Sequence, residues 1–444
     1  MKTYAIRTFG CQMNKHDSER IAGLLESSGL AAAPALEDAD VIVFNTCCVR
    51  ETADDRMLGQ VSSLKALKTG GRPEVIIAVG GCVGQRDGET LLSRLPHVDV
   101  VFGTHNIHEL PMLLEAAEAG GPAISVHPSG DRFASDLPSV REHPWHAWVP
   151  ITVGCDNHCA YCIVPRVRGP ERSRVFADIV AEVDALVAEG VVEVTLLGQN
   201  VNSYGRDRYG EPRFAGLLRA VAETGIERIR FATSHPKDIS ETTIAALAEV
   251  PALMPYLHLP VQHGSNRILA AMNRGYTREL YLQRVRDVMD AVPGIALSTD
   301  IIVGFPSETD EDFEQTLDLV AEVAFDHAFT FIYSPREGTP AAGLPGAVPR
   351  EVAQERFDRL ATLVRDLSFA SNRLEVGQVR PCLVEGVSKR NELVLSARTP
   401  HNRLVHVPME PSATATHLAG QVIDVLVTGA HPWFLTGEIA RPQG

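Results

Sequence analysis

Three cysteines, Cys155, Cys159 and Cys162, fall within eight residues at the spacing C-x3-C-x2-C. They share one loop behind an apolar strand, Val149 to Val153. Thiolates this close cannot all pair with one another as disulfides, but they can converge on one metal centre. Zinc sites take four protein ligands or keep one catalytic position open. Iron–sulfur cubes are held by cysteine thiolates, normally four. Three cysteines with no fourth nearby suggest a 4Fe–4S cube whose last iron stays open to a ligand.

Three further cysteines are far apart in sequence and alike in setting. Cys11 follows a short strand, residues 2–10, that ends at Gly10; Cys47 follows the apolar run Val41 to Phe44 through Asn45-Thr46; Cys82 follows Val75 to Val79 through Gly80-Gly81. Helical stretches separate these strands, one after Cys11 and one over about 52–67, and a fourth strand at 98–102 closes on Gly103. The alternation predicts a parallel sheet with helices on its faces, Rossmann- or flavodoxin-like. Ligands of such sheets bind at the carboxyl ends of the strands. Each cysteine alone reads as a small buried hydrophobe; three at equivalent strand ends read as a second metal site. Cys48 adjoins Cys47 and leaves open which of the two is the ligand.

The 444 residues allow two or three domains. Hydrophobic content of 45% and charged content of 22% are those of a globular protein. The N-terminal stretch lacks a signal-peptide core, and no apolar run is long enough to span a bilayer. The expectation is a cytoplasmic protein with no membrane partner, in which cysteines serve metals before disulfides. A net charge of −15 argues against indiscriminate nucleic-acid binding.

The first domain is placed at 1–118 and a linker rich in Gly, Pro, Ser and charge at 119–145. Over 146–374 strands at 148–153, 191–197, 228–232, 256–261, 295–303 and 327–333 alternate with helices, for example about 176–189, 241–249 and 309–322. That predicts an open six-unit (βα) barrel, a partial version of the TIM arrangement, with its chemistry at the carboxyl ends of the strands. His235, His258 and His263 read as structural histidines. Ala353, Phe357, Leu360, Val364 and Leu367 line one face of a helix at about 350–373. Residues 375–444 break into short apolar runs between turn residues, which predicts a small antiparallel β-barrel. Cys382 is expected to be inert there.

Four arginines, Arg166, Arg168, Arg172 and Arg174, follow the Cys155 loop within nine residues. Arginine suits bidentate phosphate contacts, so the run is a candidate RNA contact; a solvated turn or internal ion pairs is the other reading. Arg398, His401, Asn402 and Arg403 form a second candidate RNA contact on a loop of the last domain.

The cysteine spacing with Tyr161 before Cys162 resembles the radical S-adenosylmethionine family. In that family the open iron chelates S-adenosylmethionine and one electron cleaves it to a 5′-deoxyadenosyl radical. The resemblance implies Tyr161, Gln199, Ser234 and Asp300 as cofactor contacts. Thr8 to Asn14, Asn45-Thr46-Cys47 with Val49-Arg50-Glu51, and Gly81-Cys82 resemble the N-terminal domain of the methylthiotransferases, where three cysteines hold an auxiliary 4Fe–4S cluster. Two departures are Val83-Gly84-Gln85 where the family often has Met-Ala-Gln, and Cys48 itself. The last segment resembles the TRAM domain, an OB-like RNA-binding module. Leu197 to Tyr204, Ser234-His235-Pro236 and Leu257 to Ser265 look most like the branch acting on N6-dimethylallyladenosine in tRNA.

What this implies is a tRNA-modifying enzyme that adds a methylthio group to carbon 2 of that base beside the anticodon. It would use two S-adenosylmethionine molecules, a radical cluster on Cys155, Cys159 and Cys162, and an auxiliary cluster on Cys11, Cys47 and Cys82. Its partners would be the tRNA anticodon stem-loop, an electron donor such as flavodoxin or ferredoxin, and a sulfur donor or cluster-repair protein. Sister branches modify threonylcarbamoyl-adenosine or a ribosomal-protein aspartate. A two-cluster electron carrier is the reading from another class.

Overall fold

In the computed structural model, residues 1–48, 51–130, 132–409 and 417–440 are described. The Val49-Arg50 part of one quoted motif lies outside them. Among the described residues no helix is long and apolar enough to cross a membrane.

Six parallel strands open the chain: β1 (Thr3–Thr8), β2 (Ala31–Ala32), β3 (Val41–Thr46), β4 (Ile76–Gly81), β5 (Val100–Phe102) and β6 (Ala123–Ser125). Their spatial order is β2-β1-β3-β4-β5-β6. The run Val41 to Phe44 is continuously apolar because both faces of β3 are covered. Ile42 and Phe44 enter one core with Met57 and Val61, while Val41 and Val43 enter the other with Ile21 and Leu25. Register sets Thr8 beside Asn45 and Thr46 beside Gly81. Three adjacent strands therefore end at one level, and cysteines follow them.

The segment expected as a linker does more than connect. Ala123–Ser125 adds β6 to the sheet beside β5. Farther on, Val140 N donates to Glu19 O at 3.0 Å, and Gly23 has no room for a side chain because Pro138 O lies 2.3 Å from where its Cβ would stand. Residues 138–140 strap the helix Gln12–Ser27 down.

The central domain is a half-barrel. One sheet holds β7 (His146–Pro150), β10 (Glu193–Leu197) and β11 (Arg228–Phe231); the other holds β12 (Tyr256–His258), β13 (Ala296–Val303) and β14 (His327–Ile332). Hydrogen bonds between Ile229 and residues Ala252 and Met254 join them. Between β7 and β10, β8 (Thr152–Val153) turns aside to pair antiparallel with β9 (Arg172–Ser173). Alternation sets the two faces. Val194, Leu196, Ile229, Leu257, Leu297 and Ile301 pack outward under the helices, which leaves Glu193, Arg228, Arg230, His258, Ser298 and Asp300 for the lumen.

The helix Arg350–Arg373 presses Leu360 and Val364 into the same core and leads into a closed barrel. Its strands are β15 (Val379–Ser388), β16 (Asn391–Arg398), β17 (Leu404–Pro408), β18 (Val422–Ala430) and β19 (Leu435–Ile439). Pairing is antiparallel except that β17 and β19 close the barrel in parallel. Cys382 is fully buried in this core. The turn after β16 meets the amino-terminal ends of the half-barrel strands. Arg230 donates to Thr399 O at 2.9 Å and Pro400 O at 3.1 Å, and Arg228 donates to the Arg398 carbonyl at 3.4 Å.

Candidate metal centres and cofactor site

Around the first thiol triad, Asn14 and Asn45 lock the strand ends. Asn14 Nδ2 donates to Asn45 Oδ1 at 3.2 Å and to Thr46 O at 3.0 Å, and Asn45 Nδ2 donates back to Asn14 O at 2.8 Å. Thr46 Oγ1 donates to Gly80 O at 2.5 Å and accepts from Val83 N at 3.2 Å. These bonds bring Cys11, Cys47 and Cys82 into one neighbourhood. Gly10 is required there, with φ +127° and a would-be Cβ 2.2 Å from Cys47 Cβ.

Cys11 stays open to solvent and caps the start of helix Gln12–Ser27, while Cys47, Cys48 and Cys82 are buried. A hydrogen bond from Cys47 lowers the Cys11 thiol to about 6, with help from Arg168. A hydrogen bond from Cys48 lowers Cys82 to about 7, again with Arg168 nearby. Cys48 itself is pushed upward by that bond and by burial. The two adjacent cysteines thus face different partners: Cys47 looks to Cys11, and Cys48 looks to Cys82.

The second triad lies in the loop after β8. Gly154, at φ +81°, lets the chain pass Pro170 O, which would stand 2.0 Å from a Cβ there. The loop is pinned by Cys155 N to Gly169 O at 3.1 Å, Ala160 N to Met272 O at 2.9 Å, and Ala341 N to Ala160 O at 2.8 Å. Burial raises Cys155 to about 11, and burial with the charge of Cys159 raises Cys162 to about 12. Arg274 opposes the rise at Cys162 only in small part; its Nη1 donates to Cys159 Sγ at 3.2 Å and to the Tyr161 hydroxyl at 3.3 Å, and its Nη2 donates to Pro260 O at 3.2 Å.

Among the described residues, no three His, Cys, Asp or Glu side chains are arranged to hold a single metal ion. A cube asks for something else, since each ligand sits on its own iron and the thiolates stand apart. Both donor sets are all-thiol and each has a buried guanidinium beside it, which suits a cluster with anionic ligands.

Beyond the second triad, past the carboxyl ends of β7, β10 and β11, buried polar atoms stand without partners: Thr152 Oγ1, Gln199 Oε1, Asn200 Oδ1, Asn202 Nδ2 and Ser234 Oγ. Each such atom costs about 1–3 kcal/mol when unpaired. A concentration of them beside the cysteine loop fits a polar cofactor. Tyr161 lies on the loop itself. Asp300 lies apart from this group, on the lumen face of β13, with His258 Nε2 at 3.5 Å.

Profile comparisons agree with this division. A family described as uncharacterized protein family UPF0004 matches residues 3–103, the radical SAM superfamily matches 149–320, and the TRAM domain matches 373–440. Proteins named tRNA-2-methylthio-N(6)-dimethylallyladenosine synthase are 50% identical in Streptomyces viridosporus, covering 98% of this chain and 87% of their own. The Parafrankia sp. relative of that name is 49% identical over 98% of this chain and 90% of its own. The chain belongs to the tRNA-2-methylthio-N(6)-dimethylallyladenosine synthase family. Among solved structures, the radical S-adenosylmethionine methyltransferase TsrM from Kitasatospora setae shares the fold, with a TM-score of 0.55, 15% identity and 77% of each chain covered.

Within this fold the four clustered arginines part ways. Arg166 is exposed and lies over Gly338. Arg172 is half-buried, its guanidinium 5.0 Å from the Phe133 ring. Arg168 and Arg174 do not fit the expected RNA contact: both are buried, Arg168 with Asp17 Oδ2 at 2.9 Å and Arg174 with Glu182 Oε2 at 2.5 Å. A buried guanidinium already paired with carboxylate has no free fork for phosphate.

In the TRAM domain, Arg398 pairs with Glu385 at 2.5 Å, and Arg403 reaches Asp326 of the half-barrel at 2.5 Å. Both border a cavity of about 270 Å³ between the domain and the half-barrel, shared with His327, Phe329, Trp433 and Phe434. Trp433 is 52% exposed and Phe329 41%, an unusual pair of open aromatic faces.

His263 is buried against Glu308 at 3.5 Å, and His258 Nδ1 meets Ser298 Oγ at 2.8 Å. His235 packs edge-on to Tyr276, its basicity lowered to about 2 by burial and by Arg274. Sequence reading missed Arg274, Asn14 and Asp17. Asn14 stood inside a quoted motif and Asp17 just beyond it, but a lone arginine between Asn273 and Gly275 carries no local mark.

Proposed function

We propose that this chain attaches a methylthio group to carbon 2 of N6-dimethylallyladenosine beside the anticodon of tRNA. The carrying observation is the pair of thiol triads, one in each of two adjoining α/β domains. Cys155, Cys159 and Cys162 would hold the radical 4Fe–4S cluster, and Cys11, Cys47 and Cys82 an auxiliary one. When bound, the two clusters and two S-adenosylmethionine molecules supply the radical, the sulfur and the methyl group that no ordinary side chain can provide at an unactivated C–H bond.

The protein's part is placement. Arg274 fixes Cys159 and Tyr161 together. Gln199, Ser234 and their unpaired neighbours receive polar groups of S-adenosylmethionine, with Asp300 placed farther into the lumen. Burial of Cys155, Cys159 and Ala160 keeps water from the thiol side of a reactive site. Arg166, Arg172 and the aromatic cavity near Arg398 and Arg403 are the RNA-facing groups. An external one-electron donor such as flavodoxin or ferredoxin and a sulfur donor or cluster-repair protein complete the system, in the cytoplasm.

Anaerobic iron and sulfide analysis with Mössbauer spectra tests the reading. About eight irons, falling to about four in a Cys155→Ala/Cys159→Ala/Cys162→Ala variant, is the expected result for two cubes. Four falling to none would refute the second cluster. The modified nucleosides of a deletion strain should lack 2-methylthio-N6-dimethylallyladenosine; an unchanged level would refute the substrate.

A further inference from the structure

The segment between the two thiol triads belongs to both. Immediately after Cys162, Ile163 and Val167 leave the half-barrel and bury themselves in the N-terminal core beside Cys48, Cys82 and Val83. Thr104 Oγ1 holds the Val167 carbonyl at 2.7 Å. Gly169, at φ +73°, then turns the chain back, and its carbonyl accepts from Cys155 N at 3.1 Å. The excursion starts and ends at the second triad, and its far end is Arg168.

Arg168 is 5% exposed. Its Nη2 donates to Asp17 Oδ2 at 2.9 Å, and Asp17 is itself buried on helix Gln12–Ser27. The guanidinium sits next in the chain to Val167, which packs in the core that holds Cys82, and the Cys82 and Cys11 thiols lie within its electrostatic reach. A permanently charged, planar group can hold a carboxylate on one edge and a sulfur on another; a lysine ammonium lacks that fork. Burial makes the charge felt strongly, because little water screens it.

We propose that Arg168, supplied by the radical domain, is the positioning residue of the N-terminal metal site and sets how readily a cluster there accepts an electron. The proposal rests on the reading that Cys11, Cys47 and Cys82 hold a cluster. Net charge and hydrogen bonds to the sulfurs are what tune the potential of an iron–sulfur centre. Reduction adds one negative charge, taken from an external one-electron donor. Arg168 favours the reduced form, and Asp17 opposes it while orienting the guanidinium.

The test uses the full chain carrying Cys155→Ala/Cys159→Ala/Cys162→Ala, so that only the N-terminal cluster is present. After anaerobic reconstitution, iron is counted and the cluster is titrated with dithionite against redox mediators, followed by electron paramagnetic resonance. Arg168→Gln should disfavour reduction at least tenfold, a shift of about 59 mV for one electron. Asp17→Asn should shift the potential in the opposite direction, and Arg168→Lys should recover most of the parent value. Opposite signs cannot come from a general loosening of the site. Should Arg168→Gln fail to load iron, the Asp17→Asn arm still decides, because easier reduction is the only direction the proposal allows it. An Arg168→Gln or Asp17→Asn potential that coincides with the parent, or a shift of these two in the same direction, overturns the proposal. Iron absent from the parent triple variant overturns the cluster assignment instead, a separate and visible failure.

Discussion

Replacing Glu193 by glutamine exchanges one oxygen for an amide and leaves two guanidinium groups without their anion. Glu193 opens β10 and is 5% exposed. Its Oε2 accepts from both Arg228 Nε and Arg230 Nε at 2.9 Å. The same two arginines hold the carbonyls of Arg398, Thr399 and Pro400, so this one carboxylate anchors the C-terminal barrel to the half-barrel. Breaking a buried ion pair from one side costs about 3–5 kcal/mol. Glutamine can still accept a neutral hydrogen bond worth about 1 kcal/mol, so a loss of about 2–4 kcal/mol is expected. That is a large fraction of a typical domain stability of about 5–15 kcal/mol. Urea unfolding of the apo chain gives the free energy, and limited proteolysis reports release of residues 375–440. Glu385→Gln, which breaks the half-buried Arg398 pair, serves as a control with an expected cost of about 1 kcal/mol or less. Burial alone would raise the Glu193 carboxyl, but Arg230 and Arg228 more than offset it and hold it below the usual range. Its contribution is therefore full above the unfolded carboxylate value of about 4.3 and fades as the pH falls through the lower folded value. A Glu193→Gln variant within about 0.5 kcal/mol of wild type at pH 7, the scale of an ordinary surface substitution, would refute the anchoring argument.

Gly10→Ala forces a Cβ onto Cys47 at a φ suited to glycine; we expect about 2–5 kcal/mol of local strain and loss of iron from the N-terminal site alone, by iron count. Arg274→Gln should impair iron loading at Cys155, Cys159 and Cys162 while sparing the N-terminal site; equal loading would show that the Cys159 contact is dispensable. Burial raises the Glu171 carboxyl to about 7, so the folded chain takes up a proton there before the unfolded one does. Stability should rise as the pH falls from about 7 toward about 4.3, and Glu171→Gln should remove that rise in thermal unfolding of the apo protein. Trp433→Ala should weaken binding of an anticodon stem-loop by about 1–3 kcal/mol if a base stacks there; unchanged affinity by fluorescence anisotropy would remove the cavity from the RNA path.

Strong periodic signals translated well into elements. The helix Arg350–Arg373 lies where its apolar spacing puts it, and the six half-barrel strands fall within a few residues of their apolar runs. The continuous run Val41 to Phe44 became a strand covered on both faces, and the shared strand-end setting of Cys11, Cys47 and Cys82 became proximity. What failed to show were pairings made across distance. Arg166, Arg168, Arg172 and Arg174 are one residue type in one stretch, yet their fates were decided by partners such as Asp17, whose position depends on the packing of another domain. Ala123–Ser125 is too short and too bland to announce a strand; it pairs because β5 offers an open edge. Arg274 reaches Cys159 across more than a hundred residues, a contact that only the closed half-barrel creates.

The turn after β16 has a consequence for the half-barrel. With residues 398–403 seated against Arg228 and Arg230, the floor of the half-barrel is covered under β10 and β11, while the cavity lined by Tyr256, His327 and Phe329 opens beside it. The C-terminal barrel is thus part of the floor of the half-barrel as well as a candidate RNA reader, and a chain cut before residue 375 would bare Glu193, Arg228 and Arg230 even if it never touched a nucleotide.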